Sequence, residues 1–216
     1  MKASRRRLLR GLYAITDATL RGDPLAQQVE RAIVGGARVI QYRDKGHDAA
    51  RREAEARALL AVCRRHGVPL LINDDVELAA RIGAQGVHIG RDDAHLTAAR
   101  ARLGPRAIIG VSCYNRLELA REAVAGGADY VAFGRFFPSE SKPDAVPASP
   151  RLLAAARAEL DCPLVAIGGI TAENGRPLIE AGADMLAVIR GVFAAPDVTL
   201  AARRIAQLFN EPETAS

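Results

Sequence analysis

Residues 126–134 read Gly126-Gly127-Ala128-Asp129-Tyr130-Val131-Ala132-Phe133-Gly134. The glycine pair follows a helical period in Leu117, Ala120, Ala123 and Val124, and an apolar run follows the pair. Glycine supplies the left-handed backbone on which helices commonly end, so the pair reads as a helix C-cap and a tight turn into a strand. The phrase recurs. Gly35-Gly36-Ala37 precedes Val39, Gly83-Ala84-Gln85-Gly86 precedes Val87, and Ala181-Gly182-Ala183-Asp184 precedes Met185. The strands so introduced are short, apolar and largely without polar alternation. Strands buried on both faces of a parallel sheet look like this.

Outward from these turns, strands are expected at Leu12–Thr16, Val39–Arg43, Pro69–Asn73, Gly86–Ile89, Ala107–Ser112, Tyr130–Gly134, Pro163–Ile167 and Met185–Ile189. Amphipathic stretches lie between them: Pro24–Gly35, Asp48–His66, Val76–Ile82, Leu96–Leu103, Leu117–Ala125, Ser149–Leu160, Ala172–Ala181 and Val198–Phe209. Eight strands in strict alternation with eight helices imply a single-domain (β/α)8 TIM barrel over residues 1–216, with an open doubly wound sheet as the competitor.

Composition narrows the function. The formal net charge is +5, and Arg5, Arg6, Arg7 and Arg10 supply much of the excess. Residues 1–10 are expected to form a basic, flexible extension. Nucleic-acid binding would call for interleaved aromatics or a known module, and neither is present, so no nucleic-acid partner is expected. Positive charge also suits anionic substrates. The three cysteines, Cys63, Cys113 and Cys162, are far apart and form no Cys-x-x-Cys, which argues against disulfides and zinc and for a reducing cytoplasm. No run approaches the roughly 18 apolar residues of a membrane helix, so no membrane partner is expected.

In a parallel barrel the chemistry gathers where the strands end. Those ends carry Thr16-Asp17; Gln41, Arg43 and Lys45; Asn73-Asp74-Asp75; His88 and Arg91-Asp92-Asp93; Ser112-Cys113-Tyr114-Asn115; Ser139, Ser141 and Lys142; Gly168-Gly169; and Arg190-Gly191. The opposite rim offers mainly Gly and Ala. In Gln41-Tyr42-Arg43-Asp44-Lys45, alternation places Gln41, Arg43 and Lys45 on one face. Arg43, Lys45 and Lys142 are cations suited to phosphate or pyrophosphate, and Gln41 and Asn73 can donate amide hydrogen bonds. Asp74 and Asp93 are hard oxygen donors suited to Mg²⁺. Gly168-Gly169, with residues 189–190, reads as a second phosphate cradle.

Bland readings compete. Arg43 alone also suits a buried strut paired with Asp44 or an acid elsewhere, Asp75 a helix cap, and His88 a structural role. Cys113 has no His or Asp partner nearby in sequence, which argues against a nucleophile. The irregular stretch Phe136–Pro147 is expected to close over substrates.

The ordered set YAITD, QYRDK, INDD, GVHIGRDD, GVSCYN, GADYVAFGRFFPSESKPDA and AIGGI resembles the thiamine-phosphate synthase family, from about Tyr13 to the last helix. The resemblance implies a TIM-barrel transferase with two small-molecule substrates. It would join 4-amino-5-hydroxymethyl-2-methylpyrimidine diphosphate to 4-methyl-5-(2-phosphoethyl)thiazole by Mg²⁺-assisted dissociative substitution. It also implies residue roles. Gln41, Arg43, Lys45 and Asn73 would hold the pyrimidine diphosphate, with Ser112 and Lys142 at the pyrophosphate. Among these, Arg43, Lys45, Ser112 and Lys142 would carry the catalytic charge stabilisation. Asp74 and Asp93 would ligate Mg²⁺. Ser139, Ser141, Gly169, Ile189 and Arg190 would hold the thiazole phosphate. Arg190 stands where the family pattern has serine, and Tyr114 where histidine is common. A thiazole tautomerase and a non-catalytic phosphate-binding barrel are the rivals; whether the chain forms a homo-oligomer stays open.

Overall fold

The structure, a computed structural model, describes residues 9–17, 24–90, 96–138 and 146–210. Eight parallel strands close into a barrel in chain order: β1 (Gly11–Ile15), β2 (Ala37–Tyr42), β3 (Leu70–Asn73), β4 (Gly86–Ile89), β5 (Ile108–Tyr114), β6 (Tyr130–Gly134), β7 (Leu164–Ile167) and β8 (Met185–Val188). Pairing of β1 with β8, from Gly11↔Met185 to Ala14↔Val188, removes the open-sheet alternative.

Nine helices surround the barrel among the described residues: α1 (Leu25–Val34), α2 (Ala49–His66), α3 (Val76–Ile82), α4 (Leu96–Leu103), α5 (Leu117–Ala125), α6 (Pro150–Glu159), α7 (Arg176–Glu180), α8 (Arg190–Phe193) and α9 (Val198–Gln207). The ninth, α8, was not expected; it is a single turn that opens directly off β8. In the two Gly-Gly pairs that end helices, Gly35-Gly36 and Gly126-Gly127, the second glycine carries the positive φ, 109° at Gly36 and 92° at Gly127. The first glycine keeps helical φ, at −72° and −74°.

Two cores result. Leu12, Ala14, Ile40, Ile72, Val87, Phe133 and Leu164 face outward and are buried beneath the helices. Tyr13, Ile15, Val39, Leu71, Tyr130, Ala132, Val165, Met185 and Ala187 fill the barrel interior. Leu9, 1 % exposed, packs into that interior just ahead of β1, and the Arg10 guanidinium sits 6.0 Å from the Phe209 ring centroid. Packing therefore begins at Leu9, two residues inside the expected extension; residues 1–8 lie outside the described residues.

The recurring phrase has a second role at the rim where strands begin. Asp129 donates its N–H to the Ile109 carbonyl, and its carboxylate accepts the Ile109 N–H, both at 2.8 Å. Asp184 does the same with Leu164, again at 2.8 Å each way. Gln85 repeats it with Leu70, at 3.1 and 2.9 Å. The residue ahead of an even strand thus clasps the first turn of the odd strand before it, on three strand pairs. Arg100 of α4 closes on Asp129 at 2.6 Å, and Arg157 of α6 pairs with Asp184. Asp184 is buried and Asp129 largely so, and both are paired and hydrogen-bonded, the condition under which a buried charge is tolerated.

Candidate active site

At the opposite rim the strand ends and the loops after them enclose a cavity of about 590 Å³. Gln41, Arg43, Lys45, Asn73 and Asp74 line one side; Gly168, Gly169, Ile189, Arg190 and Gly191 line another; Ser112 also lines it. Every described member of the expected site is therefore in one place. Asp93, Ser139, Ser141 and Lys142 lie outside the described residues, as does the middle of the Phe136–Pro147 stretch.

The alternation in residues 41–45 survives although β2 ends at Tyr42. Gln41, Arg43 and Lys45 reach the cavity. Tyr42 and Asp44 turn away and bind α2. The Tyr42 hydroxyl donates to Glu55 Oε2 at 2.7 Å, and Asp44 pairs with Arg51 at 2.5 Å and accepts from the Gly46 N–H at 2.6 Å. Burial works against the charge on Asp44, but the Gly46 N–H and the Arg51 guanidinium outweigh it and hold the carboxyl below its ordinary value. The strut reading of Arg43 fails, because Asp44 is taken by Arg51. Among the described residues no carboxylate pairs with the side chain of Arg43 or Lys45. The Arg43 N–H donates to Thr16 Oγ1 at 3.0 Å, which fixes where its side chain departs.

The three residues ending β3 divide their work. Asp75 caps α3 by accepting the Leu78 N–H at 2.8 Å, and it also accepts from Arg52 at 2.9 Å. Asp74 instead faces the cavity, with its backbone at φ 65°, a region Asp tolerates better than most residues. The Asn73 amide donates to Asp74 Oδ2 at 2.5 Å.

The glycines after β7 are compelled by space. A Cβ on Gly168 would fall 2.3 Å from Arg135 Cβ, and one on Gly169 would fall 2.3 Å from the Pro138 carbonyl oxygen. Asn174 braces this loop, accepting from the Thr171 N–H at 2.8 Å and donating to the Gly169 carbonyl at 3.0 Å. Arg190 opens α8 at the cavity wall with its side chain exposed.

Several lining residues were missing from the expected site. Tyr13 and Arg135 line the cavity, and Tyr130 lies beneath it in the barrel interior. Arg135 follows β6 directly, so asking what each strand ends in would have found it. The tyrosines carry no such signal, since an aromatic in an apolar run reads as core. His88, discounted from sequence, also lines the cavity, where it meets Tyr130 and Ser112. Cys113 is not a nucleophile: it is fully buried, and burial pushes its thiol up to about 12.

Among the described residues no three His, Cys, Asp or Glu side chains gather as a metal cluster. No helix there is long and apolar enough to cross a membrane.

Known proteins match this chain along nearly its whole length. A family model described as thiamine monophosphate synthase matches residues 12–192. A thiamine-phosphate synthase of Thiobacillus denitrificans is 54 % identical over 204 residues, 94 % of this chain and 97 % of the relative. One of Acidithiobacillus ferrooxidans is 55 % identical over 207 residues, 94 % and 95 % of the two chains. A solved structure described as thiamine phosphate pyrophosphorylase from Pyrococcus furiosus superimposes with a TM-score of 0.86 at 33 % identity, covering 95 % of this chain and 97 % of its own.

Proposed function

The chain belongs to the thiamine monophosphate synthase family, and from that premise we propose that it makes thiamine phosphate from a pyrimidine diphosphate and a thiazole phosphate, releasing pyrophosphate. The observation that carries the reading is a single cavity with two phosphate-suited sides. Arg43 and Lys45, without carboxylate partners among the described residues, stand with Gln41 on one, and the Gly168-Gly169 backbone faces the space near Ile189 and Arg190 on another.

The reaction this arrangement serves is a substitution at the pyrimidine methylene. The carbon–oxygen bond to the diphosphate breaks, and its electron pair leaves on pyrophosphate. The amino-substituted ring shares the positive charge, and the thiazole nitrogen lone pair forms the new carbon–nitrogen bond. No proton has to be removed to start it and no protein nucleophile is needed; Cys113, buried in the outer core, does not line the cavity. Arg43 and Lys45 would bind the diphosphate and stabilise the charge as it develops on the leaving group. Asn73 would hold the Asp74 carboxylate in place. Gly169, Ile189 and Arg190 would cradle the thiazole phosphate, with Ser139 and Ser141 adding hydroxyls.

The donor chemistry fits Mg²⁺: Asp74 offers a hard carboxylate beside two cations suited to phosphate, and Asp93 would be the second ligand. When bound, Mg²⁺ would neutralise charge on the departing pyrophosphate. We place the protein in the cytoplasm with its small-molecule substrates.

The test is to mix protein, both substrates and Mg²⁺ and follow both products, with and without EDTA. Equal, metal-dependent release of thiamine phosphate and pyrophosphate is expected. A folded protein that releases neither, or that instead isomerises a carboxylated thiazole phosphate, overturns the reading.

A further inference from the structure

Five polar side chains run across the barrel in one hydrogen-bonded line. Gln41 Nε2 donates to Tyr13 Oη at 2.6 Å. Tyr13 Oη lies 2.8 Å from Tyr130 Oη, Tyr130 Oη lies 2.9 Å from His88 Nδ1, and His88 Nε2 lies 2.8 Å from Ser112 Oγ. The line joins β2, β1, β6, β4 and β5 and ends at the cavity wall.

It exists because of a missing side chain. Gly110 on β5 lies in register between His88 on β4 and Tyr130 on β6. A Cβ there would fall 1.9 Å from Tyr130 Cζ, so the Tyr130 ring occupies the room that a side chain on Gly110 would need. That lets Tyr130 stack on His88, with centroids 5.6 Å apart and planes at 20°. It also meets Tyr13 edge-on, at 5.9 Å and 87°.

Each phenol has one proton to give, and burial keeps both phenols protonated. The Gln41 amide donates into Tyr13, so the Tyr13 proton goes to Tyr130, and the Tyr130 proton goes to His88 Nδ1. A neutral imidazole that accepts at Nδ1 donates at Nε2, here to Ser112 Oγ. The Ser112 proton is then left to point into the cavity. We propose that this chain fixes Ser112 as a hydrogen-bond donor to the anionic substrate, with His88 as the positioning residue that carries its proton on Nε2. The anion in question is the pyrophosphate of the reading above, and on that reading the proposal rests for its ligand, though not for its polarity.

Two measurements separate the parts. In the ¹⁵N-histidine-labelled protein, with His88 assigned by its loss in His88→Gln, the ring proton is expected on Nε2. A proton on Nδ1 in the resting protein means a chain running the other way, and overturns the proposal whether or not synthesis occurs.

The second measurement is binding of inorganic pyrophosphate with Mg²⁺. A glutamine at 88 can place an amide N–H where Nε2 stands; an asparagine reaches only the Nδ1 position. His88→Gln is expected to keep affinity within about threefold. His88→Asn is expected to lose about tenfold, the scale of one hydrogen bond to a charged group, and to match Ser112→Ala. In a Ser112→Ala background His88→Asn should add nothing. Equal losses in His88→Gln and His88→Asn, or losses that add to Ser112→Ala, overturn the positioning role.

Discussion

Arg43 and Asp44 are adjacent and opposite in charge, yet the peptide alternation sends them to opposite sides. That separation is what leaves the Arg43 guanidinium for the cavity while Asp44 is spent on Arg51 of α2. Arg43→Ala should therefore cut turnover by roughly 10- to 100-fold, the value of a lost charge-assisted hydrogen bond, while circular dichroism and Tm stay close to those of the parent. Asp44 should report through acid stability. Its carboxyl is held below the ordinary value, so its stabilising contribution is complete above the unfolded value of about 3.9 and is lost as pH falls through the lower folded one. Asp44→Asn should accordingly lower Tm near neutrality, and the difference between the two proteins should shrink as pH drops below about 4. The alternation was legible in the sequence. The partner of Asp44 was not, because it arrives from α2, and no local pattern says which arginine of that helix faces back.

Strand and helix positions were legible wherever glycine or a capping aspartate punctuated them. Asp48, Asp75 and Asp197 each accept the N–H three residues on, at 2.9, 2.8 and 2.9 Å, opening α2, α3 and α9. The helix α8 was not legible, since four residues are too few to show a period. Nor was the carboxylate in the Gly-Ala-Asp phrase. A turn explains its glycine, but the clasp of Asp184 on Leu164 needs a strand 20 residues upstream in the chain. Asp184→Ala should cost roughly 3 kcal/mol, because it removes the charge partner of Arg157, which keeps only carbonyl acceptors such as those of Leu160 and Cys162, and leaves the Leu164 N–H without its carboxylate. Urea unfolding would measure that loss. The kcat of the folded fraction should not change, since Asp184 lies at the rim away from the cavity.

Across the whole molecule the two rims divide stability from chemistry. Substitutions at the clasps should move Tm, and substitutions at the cavity should move turnover; a clasp variant that stays stable but loses activity would contradict the division. Strict alternation made the α/β class legible and favoured the barrel but did not choose closure, which the pairing of β1 with β8 decides; the cavity was legible from the polar strand ends. The line from Gln41 to Ser112 was not, because it needs a gap at Gly110 that the β5–β6 register sets beside Tyr130, and a closed barrel to bring Tyr13 of β1 against Tyr130 of β6. The clasps also have a period of their own. They tie β3 to β4, β5 to β6 and β7 to β8, and each of the last two recruits the helix just ahead of its pair. The barrel is thus written in modules of two strands, and hybrids with a foreign barrel have natural seams. Crossovers between β4 and α4, or between β6 and α6, should give soluble, folded chimaeras, whereas those that split β5 from β6 or β7 from β8 should not.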